Sequence, residues 1–313
     1  MEGKGATPVE YREIGQTGIR TSVVGFGAWA IGGSGWGPVD DATSLRALQE
    51  AIDLGVTFID TADAYGPRHS EELVAKVLHG RRDRLILATK VGNDFYQEPR
   101  RKNFAPDYVR FAVDQSLSRL GTDYIDIYQL HNPSEEVIRQ GDTFAALEDL
   151  KAAGKIRFWG VSIGPASEGI AAMETGNPAT LQVVYNLLAQ EPARELFPRA
   201  RARGVGIIAR VPLASGLLTG KFTPETTFPE GDHRANWKPT ELRARLERVE
   251  SLRFLAKGRT LAQAALRFAV ADPAVSVVIP GAKTAAQVRE NVAAMDVPPL
   301  SAKELQQVQT IAG

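Results

Sequence analysis

Phe58-Ile59-Asp60-Thr61-Ala62-Asp63-Ala64-Tyr65-Gly66 opens with an apolar run, ends that run on a carboxylate, and places a phenol five residues later behind a tight turn. The run Thr57–Asp60 has the length and composition of a buried strand. Before it, Asp41–Leu54 puts Leu45, Leu48, Ala51 and Ile52 on one helical face, and Gly55 closes the helix. After it, Ser70 can cap a second helix, Glu71 and Glu72 favour the positive end of its dipole, and Gly80 follows. A helix, a strand, a loop carrying ionisable groups and another helix form one period of a βα repeat.

The period continues in both directions. Strand-like runs occur at Val23–Gly27, Thr57–Asp60, Leu85–Lys90, Ile125–Leu130, Phe158–Ser162, Leu181–Tyr185, Gly206–Arg210 and Val275–Ile279. Pro106 suits the first turn of a helix that Gly121 ends, and Thr143–Ala153 aligns Phe144, Leu147 and Leu150 before Gly154. Thr260–Ala271, Thr284–Ala294 and Ser301–Ile311 are further amphipathic helices. Eight such units in roughly 290 residues predict an α/β fold, a (β/α)8 TIM barrel, over a doubly wound sheet. Gly25-Phe26-Gly27 lacks the third glycine of a dinucleotide-binding turn, which argues the same way. Tyr11–Thr21, with Gly15 and Gly18, predicts an N-terminal β-hairpin. The seventh unit carries a Pro-, Thr- and Gly-rich excess at Lys221–Lys238, a long loop insertion after strand 7 expected to form a lid or clasp. No linker divides the chain, so residues 1–313 are expected to form a single barrel domain.

Composition removes several function classes. Lys+Arg and Asp+Glu both number 37, and no basic run exceeds a few interrupted residues, which argues against a nucleic-acid partner. With no cysteine, thiolate catalysis, disulfides and Cys-based zinc sites are excluded. Met1–Pro8 lacks the apolar core of a signal peptide, and no stretch approaches the ~20 apolar residues of a membrane span. A soluble, cytoplasmic protein with no metal site is expected.

In a barrel of this kind the C-terminal strand ends carry the chemistry. In order they are Asp60, Lys90, His131, Ser162 and Arg210, with Tyr65 just past the second. Each has a plain structural alternative: Asp60 could cap a turn, Lys90 could snorkel, Tyr65 could sit at a rim, and His131 could bond a loop carbonyl. Together they describe a general acid. A phenol has a pKa near 10, a neighbouring ammonium lowers it, and a carboxylate orients the ammonium. A neutral imidazole can hold a carbonyl oxygen while the phenol protonates it. With no activated Ser or Cys nucleophile, such a site needs a hydride donor.

The set Asp60-Thr-Ala-x-x-Tyr65-Gly, Ala88-Thr-Lys90-Val, Leu130-His131-Asn-Pro and Gly160-Val-Ser162 resembles the aldo-keto reductases across essentially the whole chain. The resemblance implies an NADPH-dependent reduction of aldehydes and some ketones. Tyr65 would be the acid, Lys90 and Asp60 its tuning pair, and His131 the group that orients the carbonyl. It further implies cofactor contacts at Ala28, Trp29, Ser162, Gln182, Arg210, Pro212, Leu213, Gly216, Leu218, Lys221, Gly281, Lys283, Gln287 and Asn291. The sequence departs from the family pattern at Ile163, at Arg210 (where a stacking aromatic is common) and at Gly281-Ala282 and Gln287. Lys283 is left as the expected partner of an NADP 2′-phosphate, with NAD the lesser expectation. Trp29, Trp36 and Tyr96 are the expected substrate-pocket residues. Three other readings stand beside this one: sugar or polyol oxidation by the same site, a cofactor-binding regulatory subunit without turnover, and a Schiff-base aldolase using Lys90.

Overall fold

In the computed structural model of the chain, which describes residues 9–312, the eight predicted strands form one parallel sheet. They are β1 (Phe26–Gly27), β2 (Phe58–Asp60), β3 (Ile86–Val91), β4 (Ile125–His131), β5 (Ile156–Ser162), β6 (Thr180–Val184), β7 (Gly206–Arg210) and β8 (Val275–Ile279). Each pairs in parallel with the next, and parallel bridges Val24↔Val278 and Gly27↔Gly281 join the first to the last. The seam is closed by Gly25 N–H on Val278 O (2.8 Å) and Val278 N–H on Val23 O (2.9 Å). It demands glycine: a Cβ on Gly27 would lie 2.7 Å from the Ile279 carbonyl oxygen. The predicted strand Val23–Gly27 is regular only over its last two residues for this reason, the rest pairing through single bridges. Residues 1–8, including the stretch without a signal-peptide core, and residue 313 lie outside the described residues.

Strand alternation builds the interior in two layers. The lower one is apolar: Phe58, Ala88, Ile127, Ile208, Val277 and Ile279 form one buried cluster. Ile14 and Ile19 join it from the N-terminal hairpin, Tyr11–Glu13 paired with Arg20–Ser22, which plugs the barrel floor. Two residues further along the same strands come Asp60 from Phe58, Lys90 from Ala88, Gln129 from Ile127 and Arg210 from Ile208. The upper layer is therefore polar, and it opens on the face where the strand-to-helix loops lie. Outside, the helices pack their apolar faces on the strands in two larger clusters, for instance Leu48 and Ala51 of the helix Asp41–Asp53.

Two local features differ from expectation, whereas a third, the insertion after β7, forms the expected clasp. Ser70 does not cap its helix, His69–Leu78, which starts after a left-handed Arg68 (φ 81°). Its hydroxyl instead bonds the Ala28 carbonyl (3.0 Å) and the Thr61 hydroxyl (2.8 Å), tying the first helical turn to the ends of β1 and β2. An unpredicted hairpin, Asn93–Asp94 with Arg101–Lys102, follows β3. The insertion after β7 contains a short 3-10 turn, His233–Asn236, and bridges across to the loop after β1: Asp232 pairs with Gly35 and Trp36, and His233 N–H meets Gly35 O at 2.9 Å. No helix among the described residues is long and apolar enough to cross a membrane.

Candidate active site

The polar layer is organised by one buried ion pair. Lys90 Nζ lies 2.5 Å from Asp60 Oδ1, both side chains essentially out of solvent. A buried pair of this kind survives only if its remaining donors and lone pairs are satisfied. They are. The ammonium also donates to Thr61 O (2.8 Å) and to the Tyr65 hydroxyl (3.1 Å). The second carboxylate oxygen accepts from Gln182 Nε2 (2.7 Å) and Gln129 Nε2 (3.2 Å).

Because an ammonium has three N–H groups, Lys90 is saturated. Its bond to Tyr65 occupies the phenol's oxygen as an acceptor, so the phenolic proton is left to point into the cavity. Burial raises the pKa of Tyr65; the Lys90 charge pulls it back down without overcoming burial, and Asp60 pushes up. The expectation that Lys90 sets a lowered value is thus corrected. The ammonium's own pull has the predicted sign, but desolvation outweighs it and the phenol stays protonated. Lys90 is itself pushed down by burial and brought back above its ordinary value by Asp60 and Tyr65.

His131, the last residue of β4, faces Tyr65 edge-on with ring centroids 5.8 Å apart. Asn93 Nδ2 lies 3.0 Å from its Nδ1. An amide nitrogen only donates, so Nδ1 accepts and the imidazole proton sits on Nε2. Burial, and then the charges of Lys90, Lys102 and Arg210, hold its pKa well below 6.5. The ring is a neutral N–H donor.

These groups open on a cavity of about 600 Å³ that runs from Asn93 and His131 at one end to Gln287 and Asn291 at the other. Tyr65, Asp60, Ser162, Gln182, Arg210, Pro212, Leu213, Gly216, Lys221, Gly281 and Lys283 all line it, as do Trp29, whose ring stacks on Tyr65, and Trp36. Ala28 and Leu218 are buried behind the wall and do not line it. Tyr96 is also outside: its hydroxyl takes a 2.5 Å bond from Arg119, whose guanidinium also pairs with Glu71, and its ring stacks on Phe95. That placement removes Tyr96 from the pocket, because the hairpin after β3 turns it toward the neighbouring helix. Lys283 Nζ donates to the Trp36 carbonyl, and its N–H to Gln287 Oε1 (2.7 Å). Thr284 caps the helix Ala285–Val292 there. The loop after β7 is held by three left-handed non-glycine residues, Val211 (φ 55°), Ala214 (φ 48°) and Ser215 (φ 55°). A β-branched residue rarely adopts that conformation; Asn186 Nδ2 pins Val211 O at 3.0 Å.

Several cavity or supporting residues escaped the sequence reading, among them Gln129, Asn93, Asn132, Lys102 and Arg234. Gln129 was visible in principle, since period two along β4 aligns Ile127, Gln129 and His131. Asn93 depends on a hairpin with no turn signature. Asn132 takes φ 55° and approaches Ser162, whose hydroxyl lies 3.3 Å from its Oδ1.

Between Asp60 and Tyr65 lies an unexpected group. Asp63 is buried, and neither of its carboxyl oxygens has a hydrogen-bond partner; the Ala64 N–H is near but outside bonding geometry. Desolvation, with the Glu71 charge second, holds its pKa well above the ordinary value. A raised carboxyl favours folding below the unfolded value of ~3.9 and loses that contribution as pH climbs from there through the folded value. Asp63→Asn is therefore expected to flatten this pH dependence and to stabilise the protein at pH 8 by about 1 kcal/mol or more. Urea unfolding at pH 5 and pH 8 checks it; parallel pH slopes in both proteins would contradict it.

The cavity suits a long nucleotide-like group. It is elongated, it carries five cations away from the Lys90–Asp60 pair in Lys102, Arg210, Lys221, Arg234 and Lys283, and Arg210 Nε is buried in it without a partner. Comparison with known proteins agrees. The aldo/keto reductase family profile matches residues 23–312. Aldo-keto reductase YhdN of Bacillus subtilis is 37% identical over 292 residues, covering 89% of this chain and 86% of its own. The holo form of an aldo-keto reductase from Bacillus halodurans superposes with a TM-score of 0.82 at 34% identity, over 97% of both chains. A glycerol dehydrogenase of Gluconobacter oxydans gives 0.85 at 29% identity, over 97% of this chain and 95% of that one. The chain thus belongs to the aldo/keto reductase family, oxidoreductases that act on carbonyl and alcohol groups with a nicotinamide cofactor.

Proposed function

We propose that this protein is an NADPH-dependent reductase of aldehydes and some ketones, with Tyr65 as the general acid. The observation that carries the reading is the saturated Lys90 ammonium, bonded to Asp60, Thr61 O and the Tyr65 hydroxyl at the wall of a cavity that His131 also lines. The bound cofactor supplies the hydride. The chain's own residues do the rest. His131 Nε2–H holds the carbonyl oxygen, and the Tyr65 hydroxyl, in reach of the same oxygen, delivers the proton as negative charge builds there. Lys90 then stabilises the phenolate, and Asp60 keeps the ammonium charged and aimed.

Run backwards, the same groups oxidise an alcohol: the phenolate accepts the hydroxyl proton. The glycerol dehydrogenase among the similar structures favours keeping sugar or polyol oxidation as the second reading. A regulatory subunit without turnover has no use for a proton donor on a saturated ammonium, and an aldolase needs a free amine, which Lys90 does not offer.

For cofactor choice the support is Lys283, whose ammonium lines the far end of the cavity beside Gln287 and Asn291. A charge-assisted contact to a 2′-phosphate is worth enough that Lys283→Ala should weaken NADPH by about tenfold or more and NADH far less. Turnover of an aldehyde and polyol panel with both cofactors, wild type against Lys283→Ala, tests direction and preference together. Equal loss with both cofactors would remove the Lys283 assignment; no turnover with any partner would remove the enzymatic reading.

A further inference from the structure

The hairpin after β3 returns Lys102 to the end of the cavity where His131 stands. Its ammonium donates to the His131 carbonyl oxygen at 2.7 Å, and its side chain lines the cavity together with Asn93, His131 and Asn132. One carbonyl uses one of three N–H groups. Among the described residues no carboxylate lies within ion-pair distance of Lys102. Asp60 belongs to Lys90, and the other acid lining the cavity, Glu290, sits at the far end, 4.0 Å from Lys221. The hairpin leaves Lys102 exposed; desolvation by its local packing still pushes its pKa down, with the Asp63 charge pulling it up.

Lys102 also forms the wall between this cavity and a second one of about 350 Å³. The second is floored by Pro67 and Phe95 and flanked by Arg100 and Arg101. Its acid, Asp94, is buried, accepts from Asn103 Nδ2 (3.1 Å) and the Tyr96 N–H (3.2 Å), and pairs with the Arg101 guanidinium at 3.9 Å. The reacting end of the site therefore carries an unpaired ammonium, Lys102, with Arg100 beyond it.

We propose that the preferred carbonyl substrates carry an anionic group, phosphate or carboxylate, a few atoms from the aldehyde carbon, and that Lys102 binds it, with Arg100 adding to the field. The assignment rests on the reductase reading and names the substrate class for it. An aldehyde held by His131 would place such a group beside the ammonium, where the two N–H groups that the His131 carbonyl leaves open can form charge-assisted hydrogen bonds to it.

The test compares matched aldehydes with and without the charge: glycolaldehyde phosphate against glycolaldehyde, and succinic semialdehyde against butanal. The readout is the ratio of kcat/KM, charged over neutral, in wild type, Lys102→Gln and Lys102→Glu. The ratio is expected to fall by about tenfold in the glutamine variant and further in the glutamate variant. In wild type it should also fall as ionic strength rises to about 0.5 M, because part of the attraction is screened. A shift confined to the phosphate pair or to the carboxylate pair supports the assignment and names the anion. Turnover with a ratio that neither variant moves overturns it while leaving the reductase reading intact, and no turnover of any pair overturns both.

Discussion

Tyr65→Phe is expected to cut kcat by about 10²–10⁴ while leaving the fold and the affinity for cofactor close to wild type. The phenol has one chemical task in the proposed reaction, delivering a proton into the cavity, and phenylalanine keeps the ring that stacks on Trp29 at 6.1 Å. Lys90 loses one hydrogen-bond acceptor but keeps Asp60 and Thr61 O, so the buried pair survives. Single-turnover oxidation of NADPH with an activated aldehyde, alongside cofactor titration by fluorescence, measures both halves. A variant turning over within tenfold of wild type would mean that another group supplies the proton. His131 cannot easily be that group, since its environment holds it neutral.

Lys90→Met carries the largest structural cost. It strands the Asp60 carboxylate in the polar layer with only the two glutamine amides against it, and breaking a buried pair from one side costs about 3–5 kcal/mol. Activity should vanish with it, because nothing then stabilises the phenolate. The companion variant separates these effects. Adding Asp60→Asn removes the orphaned charge while its amide oxygen still accepts from Gln129 and Gln182. The double variant is expected to recover most of the lost stability and none of the turnover, a coupling that a double-mutant cycle in urea reads directly. If the double variant were as unstable as Lys90→Met, the loss would lie in packing and not in the unpaired carboxylate.

Both variants act on residues that strand-end reading had already singled out. Period two along β2, β3 and β4 brings Asp60, Lys90 and His131 to the inner face at one end of the barrel, above Phe58, Ala88 and Ile127. Where a residue's environment follows from its own strand, the alternation was enough. Tyr96 shows the opposite case. Its sequence neighbourhood suggested a loop over the cavity, but the hairpin Asn93–Asp94/Arg101–Lys102 has no Asn-Gly or Asp-Gly turn to announce it, and its register turns the ring toward Arg119. Ser70 is similar: a serine next to acidic residues reads as a cap, and only the approach of β1 and β2 gives its hydroxyl better partners.

What the sequence by itself determined is the order of elements, the closure of eight βα units into a barrel, and the types of group at each strand end. Hydrophobic periodicity and capping are local signals, and they specify which face of an element is buried. The tertiary structure alone decided how those groups share protons. The saturation of the Lys90 ammonium, the Gln129 and Gln182 bonds to Asp60, the Asn93 contact that sets the His131 tautomer and the docking of Asp232 on Gly35 join residues 25 to 197 positions apart. Periodicity says that such a side chain points inward; which partner it meets depends on the twist and closure of the whole barrel, and no local pattern encodes that.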